Sequence, residues 1–208
     1  MPEYPRADRM QDIQPFRVME LLSRARQLEA EGRNIVHMEI GEPDFPSPEP
    51  VIRAVKNAIA EGDVHYTPAT GMLALRKAIA GFYLQRYGVL VEPERIVVTP
   101  GASGALLLVL GSLLNPGQTV LMADPGYPCN RNFVRFLEGR SRSIPVTAES
   151  GYQLTAEQVE ANWDESTAAV LLASPSNPTG TLVPTDELQA ISRIVQQRGG
   201  RLLVDEIY

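Results

Sequence analysis

The hydrophobic pattern changes its period near residue 95. Before that point apolar residues recur at helical spacing. Met19, Leu22 and Leu28 mark a helix over 16–31, with Gly32 placed as its C-terminal cap. Val51, Val55, Ala58 and Ile59 share one face of a helix over 51–61, and 73–87 reads as a third. Residues 35–40 form a strand-like run, followed by Gly41-Glu-Pro-Asp-Phe-Pro-Ser-Pro48, whose prolines predict an extended loop. Beyond Arg95 the apolar runs are short and unbroken: 96–99, 119–123, 168–173 and 202–204, with 143–146 a further candidate. Runs without alternation predict strands buried on both faces of a parallel sheet.

Helices fill the gaps between these strands. Residues 104–114 are nearly all apolar and predict a buried helix, and 130–137 predicts another. Thr155-Ala-Glu-Gln158 has the spacing of a capping box, and Thr185, followed by Asp186 and Glu187, reads as the N-cap of a helix ended by Gly199-Gly200. Leu188, Ile191, Ile194 and Val195 supply the buried stripe of that last helix. Alternating strands and helices predict an α/β fold, a three-layer α/β/α arrangement around a mostly parallel sheet. The proline-rich loop suggests a boundary near residue 50, with an arm and helix over 1–50 and the sheet-bearing part over 51–208.

Bulk properties narrow the function classes. The chain of 208 residues is 44% hydrophobic and 21% charged with a net charge of -6, and its charges are interspersed, so no nucleic-acid footprint is expected. One cysteine, Cys129, excludes an internal disulfide and a cysteine-built metal site, which favours a reducing, cytoplasmic setting. His37 and His65 lack metal-site spacing and read as structural. No apolar stretch has the length of a membrane span, and the start of the chain has no signal-peptide core.

Four segments carry chemistry. Thr99-Pro-Gly101-Ala-Ser-Gly104 puts small residues between a strand and a helix, where backbone amides and the Ser103 hydroxyl suit an anion. A plain turn, a dinucleotide site using Asp124, and a monophosphate cofactor all remain open there; the GxxG spacing departs from GxGxxG. Asp124-Pro-Gly-Tyr127-Pro128 follows a strand, and its prolines stiffen Tyr127 either for stacking on a planar ring or as a lid on the core. Asn177 in Ser174-Pro-Ser-Asn-Pro-Thr-Gly180 offers an amide donor, or marks a simple turn; its bond to Pro178 is a candidate cis peptide. Asp205 closes the last strand, with Tyr208 three residues on; a buried acid needs a partner, and both a protonated ring nitrogen and the next turn qualify.

In that order, Thr99-Pro-Gly-Ala-Ser-Gly-Ala105, Asp124-Pro-Gly-Tyr-Pro128, Ser174-Pro-Ser-Asn-Pro-Thr-Gly180 and Val204-Asp-Glu-Ile-Tyr208 resemble the class I/II aminotransferases of fold type I, from about Phe16 onward. The resemblance implies pyridoxal 5'-phosphate as cofactor, held at its phosphate by Gly101, Ala102 and Ser103. Tyr127 would stack on its ring, Asn177 and Tyr208 would bond its phenolic oxygen, and Asp205 would pair with its nitrogen. Gly41 would meet the substrate carboxylate, and Tyr66 would reach the phosphate held by a neighbouring subunit, implying a homodimer. Amino acids and 2-oxo acids are the implied substrates. The family's cofactor-linking lysine and carboxylate-binding arginine would lie beyond residue 208, so no catalytic residue is assigned and 1–208 alone is expected to be inactive and poorly stable. Alternatives are a lyase of the same fold, a non-catalytic cofactor- or partner-binding protein and a dinucleotide-dependent oxidoreductase.

Overall fold

The computed structural model describes residues 4–208. In chain order the elements are α1 (Arg17–Ala30), α2 (Glu49–Ala60), α3 (Leu73–Tyr87), α4 (Gly101–Leu113), β1 (Thr119–Asp124), α5 (Cys129–Phe136), β2 (Arg140–Pro145), α6 (Ala156–Ala161), β3 (Thr167–Ala173), α7 (Thr185–Gln197) and β4 (Arg201–Asp205), with short 3-10 turns between some of them. They fall into two compact units, Met1–Phe16 with Pro100–Tyr208, and Arg17–Thr99. The boundary expected near residue 50 lies at the start of α2, inside the second of these.

In the first unit all four strands run parallel in the order β2-β1-β3-β4. Alternate side chains serve opposite faces, as strand pleating requires. Val120, Met122, Ala169 and Leu171 pack with Leu106 and Leu110 of α4 and Val134 of α5. Leu121, Val170 and Leu172 pack with Val159 of α6 and Ile191 and Val195 of α7. Helices therefore cover both faces, giving the expected three-layer α/β/α fold. Each fully buried Leu, Ile or Val contributes about 1.5–3 kcal/mol relative to an exposed one.

Several sequence expectations change. Residues 96–99 form no strand: Val98 N–H bonds to Thr70 C=O, and no ladder runs beside this stretch among the described residues. Residues 35–40 likewise form no strand. α4 is buried only along Leu106 and Leu110, while Leu108 and Val109 face outward, so its apolar composition exceeds its buried face. β4 is half-buried because it is the sheet's edge, leaving Val204 exposed and Asp205 half-buried instead of sunk in the core. Thr185 is the first residue of α7 and makes no capping bond; Pro184 precedes it in an extended conformation. Glu187 instead accepts the Ala156 N–H at 2.7 Å, satisfying the first turn of α6. That turn also has the expected capping box, with Thr155 and Gln158 bonded reciprocally.

The second unit has the three predicted helices but almost no buried interior: Gly71 alone is buried among residues 17–99. Val51, Val55 and Ile59 share a helical face as expected, yet all are more than half exposed. A polar clip fixes residues 37–39 near the end of α1. His37 Nδ1 lies 2.6 Å from Glu39 Oε1, and Nε2 lies 3.0 Å from Glu29 Oε1. Hydrogen bonding to Glu39, then to Glu29, raises the imidazole above its ordinary 6.5, and bonding to His37 lowers Glu39 below its ordinary 4.5. A raised basic pKa stabilises the fold below 6.5 and loses that contribution as pH rises through the folded value; the lowered carboxylate loses its own as pH falls through its folded value. NMR titration of His37 is expected to show a midpoint above that of an unstructured histidine, and Glu39→Gln should bring it down. An unchanged midpoint in that variant would exclude the clip.

Candidate functional site

Strand order locates the site before any side chain is considered. From β1 the chain crosses through α5 to β2 on one side, whereas β3 leads through α7 to β4 on the other. The carboxyl ends of β1 and β3 are neighbours whose connections diverge, and open α/β sheets bind ligands in the crevice so formed. The loops that leave these two ends are Asp124–Asn130 and Ser174–Gly180, the segments singled out in the sequence.

Both loops are tightly defined. Asp124–Pro125, Ser174–Pro175 and Asn177–Pro178 are cis peptides. Ser176 is buried; its N–H donates to Thr181 C=O at 2.9 Å and its carbonyl accepts from Gly180 N–H at 2.7 Å, the latter residue at φ +70°. Gln153, also buried, donates through Nε2 to Ala173 C=O (3.1 Å) and Thr181 C=O (2.8 Å), tying the end of β3 to the far side of the Asn177 turn. Tyr127, Asn130, Gln153, Ser176 and Asn177 line a small crevice between the loops, and the buried Asn130 Oδ1 has no protein partner there. No sequence signal marked Gln153 or Asn130, since a lone amide in a polar context resembles surface.

A second, larger cleft of about 440 Å³ joins the first turns of α4 to the end of β4. Ala102, Ala105 and Leu106 line one wall, and Asp205, Glu206 and Ile207 the other. The volume is that of a small-molecule site. Ala102 and Ser103 are exposed at the positive end of the helix dipole, and a Cβ on Gly101 would meet nothing within 4 Å, so an anion has room to approach. Gly101 has φ +74°, a conformation that favours glycine.

Electrostatics join the remaining pieces. The Tyr127 phenol is pushed up to about 12, first by burial, then by hydrogen bonding to the Cys129 side chain, with smaller contributions from the charges of Cys129, Asp205 and Tyr208. Of the residues singled out in the sheet-bearing unit, Ala102 of α4 and Asp205, the last residue of β4, line the larger cleft, and Tyr127 and Asn177 line the crevice between the loops. At neutral pH Tyr127 remains an uncharged ring. Gly41 and Tyr66 belong to the other unit, where Gly41 lies in an exposed loop and Tyr66 is fully exposed. Lys56 and Lys77 are exposed on α2 and α3.

A helix N-terminus with room for an anion, a tyrosine and an amide on the crevice loops, and a carboxylate at the end of β4 all lie at the carboxyl ends of the parallel strands. The chain belongs to the family of class I and II aminotransferases, whose model matches residues 33–208. It is 35% identical over 200 residues to a (5-formylfuran-3-yl)methyl phosphate transaminase of Methanocaldococcus jannaschii, covering 96% of this chain and 51% of that protein. It is 37% identical over 196 residues to a valine–pyruvate aminotransferase of Mycobacterium tuberculosis, covering 94% and 50%. The crystal structure of an aminotransferase from Mycobacterium tuberculosis superposes with a TM-score of 0.93 at 36% identity, over 99% of this chain and 53% of that one. Thermus thermophilus aspartate aminotransferase with maleate gives 0.93 at 32% identity, over 99% and 54%. The chain spans about half the length of the curated relatives it matches. Members of the family use pyridoxal phosphate. Among the described residues, no helix is long and apolar enough to cross a membrane.

Proposed function

We propose that this chain supplies the cofactor-binding part of an aminotransferase that moves an amino group between an amino acid and a 2-oxo acid. The carrying observation is the meeting of Ala102 and Asp205 across one cleft, with Tyr127 close enough to Asp205 and Tyr208 to be influenced by their charge. The residues fit pyridoxal phosphate. The first-turn amides and hydroxyl of Gly101, Ala102 and Ser103 bind the phosphate, where the helix dipole favours negative charge. Tyr127 stacks on the ring face; Asn177 donates an amide N–H, and Tyr208 its O–H, to the ring's phenolic oxygen. The Asp205 carboxylate holds a proton on the ring nitrogen. When bound, the cofactor supplies an electron sink for the carbanion formed at the substrate. Gly41 offers its backbone to the substrate carboxylate. The full exposure of Tyr66 fits a role toward the phosphate bound by a second subunit, and hence a homodimer.

Pyridoxal phosphate added to the protein that carries this chain should give a bound visible band, and NAD should not bind. Ser103→Ala is expected to weaken the cofactor by about 3- to 10-fold, the net worth of one ordinary hydrogen bond. Titration of absorbance against cofactor concentration measures both, and absence of any bound band would overturn the reading.

A further inference from the structure

Residues 9–16 lie along α5 and its C-terminal end in an ordered, antiparallel register. Arg9 Nη1 is 2.9 Å from Glu138 Oε1, and its guanidinium sits 5.6 Å from the Phe136 ring centroid. Asp12 Oδ2 accepts from Arg135 Nε at 2.6 Å. Asn132 Nδ2 donates to Gln14 C=O at 2.9 Å. Phe16 then meets Tyr127, with ring centroids 5.8 Å apart and planes at 73°. As the arm advances from 9 to 16, its partners step back through 138, 135 and 132 to 127. Each exposed contact is weak alone, but a series in register fixes where the arm delivers its last ring.

We propose that Phe16 is a positioning residue for the Tyr127 ring, and that residues 9–14 are the strap that delivers it; this rests on the cofactor reading above. The prolines of the Asp124–Pro128 loop constrain backbone and leave the side-chain torsions of Tyr127 to be set by its contacts. Phe16 supports the ring itself, edge to face at 5.8 Å between centroids. An edge-to-face pair favours one ring orientation, because the positive edge of one ring meets the negative face of the other. A platform held in one orientation spares the loss of rotamer freedom on stacking, which strengthens binding of a flat ligand.

The test uses the full protein carrying this chain, labelled with ¹³C-tyrosine, the Tyr127 signal being identified by Tyr127→Phe. In Phe16→Ala without cofactor, the Tyr127 ring resonance should shift and broaden. Pyridoxal phosphate should then bind on the order of 2- to 10-fold more weakly, with altered visible circular dichroism per bound cofactor. Phe16→Tyr should restore both signals. Arg135→Gln, remote from the ring, should move them in the same direction by less, and serves in place of Phe16→Ala if that variant fails to fold. A fall in melting temperature with the Tyr127 resonance, affinity and dichroism unchanged would reduce Phe16 to a structural residue and end the proposal. An unaltered protein that binds no pyridoxal phosphate sinks the cofactor reading and this inference with it; one that binds while Phe16→Ala is indifferent sinks this inference alone.

Discussion

In the full protein carrying this chain, the proposed role of Asp205 predicts that Asp205→Asn lowers turnover by about 10²–10³-fold while leaving the melting temperature close to that of the unaltered protein, the kinetic loss matching the cost of removing one partner from a charge pair that bound cofactor would bury. The side chain is half-buried at the end of β4, and its carbonyl accepts the Ser174 N–H at 3.0 Å, so the backbone that carries it is fixed by β3. Asparagine has the same shape and keeps that bond, but it has no negative charge with which to hold a proton on the ring nitrogen. The deficit should therefore appear in turnover and in the visible spectrum of bound cofactor, not in folding. Asp205→Glu, which restores charge at a longer reach, should recover part of it. Steady-state kinetics together with absorbance spectra check this. Turnover close to that of the unaltered protein in Asp205→Asn would remove Asp205 from the ring-nitrogen role.

The strands and the loops at their ends were legible because the signals were local. Runs such as 119–123 and 168–173 carry no alternation, and burial on both sheet faces is what they acquire. The loops after them announced themselves through prolines and small residues next to strand ends. What a run of apolar residues does not specify is its partner. Residues 96–99 have the same texture as β1 but form no strand, and α2 has a clear apolar stripe that nothing among the described residues covers. Edge position likewise comes from topology, which is why Asp205 is less buried than its sequence context implied. The least legible feature is the arm. Its pairing of Phe16 with Tyr127, and of Asp12 with Arg135, joins residues more than a hundred positions apart through mixed polar sequence with no periodicity. Gln153 is similar: its amide reads as surface until the turn around Asn177 folds over it.

Leu121→Ala is expected to destabilise the protein by about 2–5 kcal/mol. Leu121 is fully buried on β1, with β2 and β3 as its neighbours, and packs among Ile144, Val170 and Leu172 of the sheet and the apolar residues of α6 and α7. A strand bonded on both sides cannot shift to close the cavity without breaking two ladders, so the loss should fall toward the upper part of that range. Native stability is commonly about 5–15 kcal/mol, which makes this one truncation a large fraction of the whole. The consequence reaches the site, because β1 ends at Asp124 and carries the Tyr127 loop. Leu121→Met, which conserves volume, should cost less than about 1.5 kcal/mol. Denaturant unfolding of both variants, with and without pyridoxal phosphate, separates the two contributions: added cofactor should raise the midpoint of each, since it binds only the folded site. Equal stability of the alanine and methionine variants would place the core elsewhere and with it the scaffold that holds the two crevice loops together.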